Sequence, residues 1–386
     1  MAFPGESNQI LEEVNSAVKT LILNRPEKLN AISPSMASKL LDTFQAYEKD
    51  SNVKLVILKG NGKAFCSGGD ITTGVRLVSE VKWSSGVKYY GTQLKLNYVL
   101  ATNKKPQVSL INGIVMGGGA GLSMHGEFRV VTENAVFSMP ETLLGLFPDV
   151  GSSYFLSRLA GFFGEYIGLT SRRLDAAEMV ACGLATHFVL SMNLPLLEEA
   201  LNKVESSDPA GICTIIDEFS LRPVLKKDSA YQRLEIINKC FSKETVEEIL
   251  STLEHEAINK ADVPISKPEK WAVAAIKSLK MASPTSLKVF LRSIREGRTQ
   301  DISQCLIQEY RMVSHALRRT VSNDFYQGCR AILFDKDGRP KWDPSKLELI
   351  SKEMVDQYFT KVDDEDWEDL QLPVRSNTAD SVRAKL

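Results

Sequence analysis

The sequence predicts an α/β fold built on a largely parallel sheet, and three observations lead there. Short apolar or alternating runs suited to strands recur through the first half of the chain, helical apolar spacing separates them, and glycine-rich turns stand where strands end. Of the 386 residues, 43% are hydrophobic and 25% charged. That is an ordinary globular balance, and the length calls for a main core plus a substantial second region.

Residues 16–23 (SAVKTLIL) alternate and are β-branched, and residues 53–59 (VKLVILK) form a near-continuous apolar run suited to a buried parallel strand. Between them Met36, Leu40, Leu41 and Phe44 fall at helical spacing within residues 35–47, with Ser33 and Pro34 as cap and first-turn pair. The alternation then repeats. Residues 106–111 (PQVSLI) read as a strand, a glycine-rich turn and helix follow, and residues 128–132 and 136–138 return to strand. Strands alternating with helices imply parallel pairing through right-handed crossovers. Strand signals fade beyond Ala200, and residues 267–319 read as amphipathic helices, WAVAAIKSLKMA and SLKVFLRSIREG among them. Residues 361–386 are acidic and then polar, and are expected to form a loose tail.

A net charge of −1 provides no field to hold a nucleic acid or an anionic membrane surface. No apolar run reaches the roughly 18 residues needed to cross a bilayer, so neither nucleic acid nor membrane is an expected partner. The six cysteines are scattered with neither zinc nor redox spacing, which points to reduced thiols and no metal. Residues 1–13 show neither a signal-peptide core nor the Arg-rich, acid-poor composition of a transit peptide. The chain ends Arg383-Ala384-Lys385-Leu386, close to the Ser-Lys-Leu peroxisomal address. Delivery to the peroxisome by its import receptor is therefore expected, with the cytoplasm as the alternative.

Three segments carry candidate chemistry: AFCSGGDI at 64–71, INGIVMGGGAGLSMHG at 111–126 and FSMPETLLGLFPDVG at 137–151. In the second, a strand runs into Gly117-Gly118-Gly119 before a helix. Three consecutive glycines disfavour a regular element by about 1 kcal/mol each relative to alanine, so they suggest close backbone approach to something. Amides at a helix start are free donors. The first segment offers a similar turn at Gly68 and Gly69, and two backbone N–H groups from different loops aimed at one point make an oxyanion hole.

These segments, in this order and with NRPEKLNA at 24–31, resemble the crotonase superfamily of acyl-CoA enzymes, a similarity that covers roughly residues 10–200 and continues more weakly through 270–343. The FPDVG segment points to its 3-hydroxyisobutyryl-CoA hydrolase branch. The resemblance implies a crotonase-like spiral of βαβ units as an acyl-CoA-binding catalytic core over residues 1–204, a helical C-terminal region over 205–360 and the tail over 361–386. It implies hydrolysis of a short 3-hydroxyacyl-CoA thioester in valine catabolism, with CoA as part of the substrate and neither cofactor nor metal required. Enoyl-CoA hydration or isomerisation, and a CoA-binding scaffold without turnover, are the alternatives. Relatives assemble through C-terminal helices that extra sequence around 205–270 alters here, so a homo-oligomer stays open.

By the same resemblance the amides of Gly69 and Gly118 match the donors to the thioester oxygen. Gly68, Asp70, Ile71, Gly117, Lys28 and Leu29 match the substrate-binding face, and Glu141 matches a catalytic glutamate. Hydratases carry a second glutamate where this chain has Gly121, and usually glycine where it has Asp149; Asp149 becomes the second catalytic carboxylate. Glu141 either attacks the carbonyl or activates water. Gln93 stands where an acidic substrate contact is expected. His125 and His187 lack a nucleophile or metal spacing and are assigned to packing or surface roles; Cys66 and Ser67 lack a base. Asp335-Lys336-Asp337-Gly338 lacks the closing glutamate of a calcium loop and reads as a turn.

Overall fold

The computed structural model describes residues 8–80, 82–259 and 270–375. The chain starts with a hairpin, β1 (Ile10–Asn15) antiparallel to β2 (Val18–Leu23), turning at Ser16 with φ 53°. Three pairs of strands follow: β3 (Leu55–Gly60) with β4 (Ala64–Cys66), β5 (Gln107–Ile111) with β6 (Ile114–Met116), and β7 (Phe128–Val131) with β8 (Val136–Ser138). Two-residue strands β9 (Leu174–Asp175) and β10 (His187–Phe188) complete them.

The strands form a six-stranded sheet, order β1-β2-β3-β5-β7-β10, and a four-stranded sheet, order β4-β6-β8-β9. Pairing is parallel except for β1 with β2 and β8 with β9. Each successive pair therefore gives one strand to each sheet, and the spiral expected from resemblance is present with two sheets. β1 was not legible because only Ile10 of its six residues is buried, so an edge strand facing solvent shows no apolar alternation.

Both faces of the large sheet are covered, as a near-continuous apolar run requires. Val56 and Leu58 of β3 join the main core, while Leu55 and Ile57 face a second core closed by the helices Leu194–Leu201 and Pro209–Asp217. The expected helix after Ser33 spans Pro34–Lys49, with Ser33 Oγ accepting from Met36 N at 3.1 Å and Met36, Leu40 and Phe44 buried. The helices Lys270–Met281, Pro284–Gly297 and Ile302–Arg318 occupy the region read as amphipathic. They pack into the same main core as the spiral. Among the described residues no helix is long and apolar enough to cross a membrane.

The loose tail is corrected over residues 361–375. Val362 and Leu370 are each 5% exposed, Trp367 stacks on Tyr310 with ring centroids 5.9 Å apart, Trp367 Nε1 donates to Ser314 Oγ at 2.9 Å, and Asp369 pairs with Arg311. The acidic run misleads because Asp364, Asp366 and Asp369 pair with Arg318, Lys82 and Arg311 while Val362 and Leu370 are buried. The turn at Asp335–Gly338 is present, and Arg330 takes both acids at 2.7 and 2.8 Å.

Candidate active site

Loops from separate turns of the spiral are tied together by their backbones. Fully buried Asn30 donates to the Asn61 and Ala64 carbonyl oxygens at 2.9 and 2.8 Å and accepts from Arg25 N at 2.8 Å. Ser67 N donates to Leu29 O at 2.9 Å and Ile32 N to Gly68 O at 2.8 Å. This sets Gly68 and Gly69 against the second glycine turn. Gly118 opens the short helix Gly118–Ser123, so its N–H has no helical carbonyl one turn behind it. A β-carbon at Gly118 would lie 3.0 Å from Gly69 N and collide with the Gln93 carboxamide; one at Gly117, where φ is +46°, would lie 2.6 Å from Glu141 Oε1. Gly69, Gly117, Gly118, Gln93 and Glu141 therefore meet, and only glycine permits the approach.

Glu141 begins the 3-10 turn Glu141–Leu144 and is 7% exposed; Asp149 is 4% exposed. Glu141 Oε2 and Asp149 Oδ2 are buried with no hydrogen-bond partner. Burial first, and the Asp149 charge second, hold the Glu141 carboxyl well above the usual carboxylate range. Asp149 is raised by burial and then by the charge of Glu309. A raised pKa makes the ionised carboxylate a stronger base, which suits general acid–base chemistry.

Glu309, on the helix Ile302–Arg318, escapes sequence reasoning. It is fully buried and accepts from Gly151 N at 2.6 Å, Ser153 N at 3.1 Å and Ser153 Oγ at 2.7 Å, gripping the loop just after Asp149. Burial pushes it up to about 7. From the other side buried His125 donates Nε2–H to Val150 O at 2.8 Å, and Val150 has φ 57°, an outlier for a β-branched residue. The two contacts hold a strained loop that aims Asp149. A separation of 160 residues hides Glu309 from any motif; the only signal is an acid among apolar positions of an amphipathic helix.

Other expected residues fall into two groups. Asp70 forms an ion pair with Arg25 at 3.0 Å and caps Thr73 N at 3.1 Å, while the amides of Asp70 and Ile71 are taken by Ile32 O and Gly69 O, both at 2.8 Å. These bonds hold the loops together and occupy both amides within the fold. Lys28 and Leu29 are exposed on the loop 24–31. Cys66 is fully buried with its thiol pushed up to about 12 by burial, which rules against a thiolate nucleophile. Asn97, one turn beyond Gln93 on the helix Trp83–Thr102, is fully buried with both amide atoms unpartnered. A β-carbon at Gly121 would lie 2.7 Å from Asn97 Nδ2 and 2.7 Å from Val150 Cβ, so a glutamate has no room there.

Two stacked sheets wound in a spiral, with facing glycine amides beside buried carboxylates, define the fold of an acyl-CoA enzyme class. A solved carnitinyl-CoA dehydratase from Mycobacterium thermoresistibile superimposes with a TM-score of 0.82 at 29% identity, covering 94% of this chain and 98% of that one. The family model for enoyl-CoA hydratase/isomerase matches residues 18–359, and the chain belongs to that family. Among its relatives, 3-hydroxyisobutyryl-CoA hydrolase 1 of Arabidopsis thaliana is 57% identical over 96% of each chain. The mitochondrial 3-hydroxyisobutyryl-CoA hydrolase of Homo sapiens is 37% identical over 93% of this chain and 90% of its own. The crotonase resemblance is thus borne out.

The peroxisomal expectation is overturned. Relatives from human, chicken and Arabidopsis carry a mitochondrial designation in their names, which fits neither the peroxisome nor the cytoplasm and removes the ground for an import-receptor partner. The Ala384-Lys385-Leu386 ending lies outside the described residues.

Proposed function

We propose that this chain is an acyl-CoA thioester hydrolase that cleaves 3-hydroxyisobutyryl-CoA to 3-hydroxyisobutyrate and CoA, the reaction for which its relatives are named. One observation carries the reading: Glu141 is buried against the glycine turn at Gly117, with buried Asp149 close enough for its charge to act on it, while Asn97 and Val150 fill the space a second hydratase glutamate would need. Hydration of an enoyl-CoA uses two acids gripping water above the C2–C3 bond. Hydrolysis uses attack at C1, next to the oxyanion hole.

In this mechanism the thioester oxygen lies against the Gly69 and Gly118 amides. Ionised Glu141 attacks C1 itself or takes a proton from the water that does. The carbonyl π electrons move to oxygen, where the two amides hold the charge; loss of one such donor costs about 3 kcal/mol. Collapse breaks the C–S bond, and the CoA sulfur leaves with the electron pair and takes up a proton. On the anhydride route water then cleaves the acyl–Glu141 bond. Asp149 accepts a hydrogen bond from the 3-hydroxyl of the acyl chain, and Gln93 fills the side of the same space. The same proposal assigns the enzyme to valine breakdown, where this thioester is cleaved.

Free CoA measured with 3-hydroxyisobutyryl-CoA and with isobutyryl-CoA tests the assignment. A buried carboxylate left without its hydroxyl partner costs about 1–3 kcal/mol, so kcat/KM for the hydroxylated thioester should be roughly ten to a hundred times higher. Equal values would remove Asp149 from substrate recognition.

A further inference from the structure

Where β10, at the end of the large sheet, meets the helix Pro209–Asp217, three side chains converge that take no part in the site above. His187 Nε2 lies 3.7 Å from Cys213 Sγ and 3.4 Å from Asp217 Oδ1, and Cys213 Sγ lies 3.8 Å from Asp217 Oδ2. Cys213 and Asp217 are four residues apart, so they leave one face of the helix together. We propose that His187, Cys213 and Asp217 form a binding site for a divalent metal of the zinc class, with water as the fourth ligand.

The spacings are those of a metal site. A tetrahedral zinc with bonds of about 2.0–2.1 Å to nitrogen and oxygen and 2.3 Å to sulfur sets its ligand atoms about 3.3–3.6 Å apart. The His187–Asp217 separation falls inside that range and the two to Cys213 Sγ exceed it by about 0.1 and 0.2 Å, though the two Asp217 distances run to different carboxylate oxygens; with one atom from each residue the three lie within 4.8 Å of one another, a gap that side-chain rotation closes. Sequence reading missed the site because 26 residues separate His187 from Cys213 and no short motif links them.

Outer hydrogen bonds fix the imidazole for this task. Thr186 Oγ1 accepts from Arg129 N at 2.8 Å and directs its single proton to Arg129 O at 3.2 Å. With its proton so directed, it can accept from His187 Nδ1, 2.7 Å away, and the site takes the tautomer that carries the hydrogen on Nδ1. In the neutral ring the Nε2 lone pair then points at the thiol and at a carboxylate oxygen. A ring nitrogen fixed by a partner on its far side is the usual support of a metal-bound histidine. The arrangement is not a thiol–imidazole–carboxylate relay, in which acid and thiol hold opposite nitrogens; here both face the same one.

Access suits the proposal as well. The Asp217 side chain is 64% exposed, and a cleft of about 630 Å³ lined by His187, Phe188, Asp217 and Arg222 opens beside the three groups. Metal binding replaces the thiol proton, so one proton leaves Cys213 for each ion taken up.

Cobalt(II) titration of the full chain, first dialysed against chelator, is the direct test. Cys213 is the only one of the six cysteines that is not buried, so a thiolate-to-cobalt absorption band reports on it. The expected result is that band together with the visible bands of four-coordinate cobalt, saturating at one ion per chain and erased by zinc. Cys213→Ser, with its fold checked by circular dichroism, should lose the charge-transfer band. Thr186→Val should keep the band but weaken cobalt binding by roughly tenfold. Absence of a thiolate band at one equivalent of cobalt, or its persistence in Cys213→Ser, would overturn the proposal.

Discussion

The carboxyl groups of the site are cases where burial decides the chemistry. Glu141→Gln keeps volume while removing charge and basicity, so CoA release should fall below about a hundredth of wild type with CoA binding retained, as calorimetry would read it. Substantial residual turnover would exclude Glu141 from the reaction. Glu309 allows a second prediction. It titrates near 7 in the fold against an ordinary 4.5, so between those values the unfolded chain has lost a proton that the folded chain keeps. Stability therefore falls as pH rises through that window and levels off above it. Glu309→Gln lacks this slope. Urea melts should show the variant gaining on wild type by up to about 3 kcal/mol from acid to neutral pH, even though it loses acceptors for the loop amides. Removing the charge also lets Asp149 ionise more easily, so the acid limb of the hydrolysis profile should move to lower pH. Glu141, Asp149, Gly69 and Gly118 could be singled out in the sequence because each stands in a motif whose resemblance to a family implies a role for it. Glu309 and Asn97 could not, because their roles arise from tertiary approach alone.

At the scale of elements, the helix Ile302–Arg318 links two parts of the molecule. Glu309 holds the loop after Asp149, and its neighbours Tyr310, Arg311 and Ser314 hold the segment 361–375. The strands β2, β3 and β5 and the helix Pro34–Lys49 could be read in advance because their periodicity reflects burial on known faces. The edge strand β1 and the docked segment could not, since polar composition hides an element whose pairing is supplied by a partner. Leu370, 5% exposed, anchors that segment. Leu370→Ala should cost about 2–4 kcal/mol, read as a lower urea midpoint with an unchanged slope. A midpoint equal to wild type would return the segment to the status of a loose tail.

For the whole molecule, spiral and C-terminal helices share one core that runs from Ile10 to Leu370. The helical region is thus packed into the same core as the candidate site, and it supplies Glu309 to the loop after Asp149. The α/β class and the spiral followed from strand–helix alternation and from resemblance, whereas the merging of the two regions depends on contacts across hundreds of residues. The central claim is that this scaffold attacks C1 and does not hydrate C2–C3, because Gly121 is hemmed in by Asn97 and Val150 while Glu141 and Asp149 remain. The most direct measurement follows free CoA with 3-hydroxyisobutyryl-CoA and enoyl absorbance with crotonyl-CoA on one preparation. The account predicts rapid CoA release from the first and unchanged absorbance in the second; rapid hydration of crotonyl-CoA with negligible CoA release would contradict it.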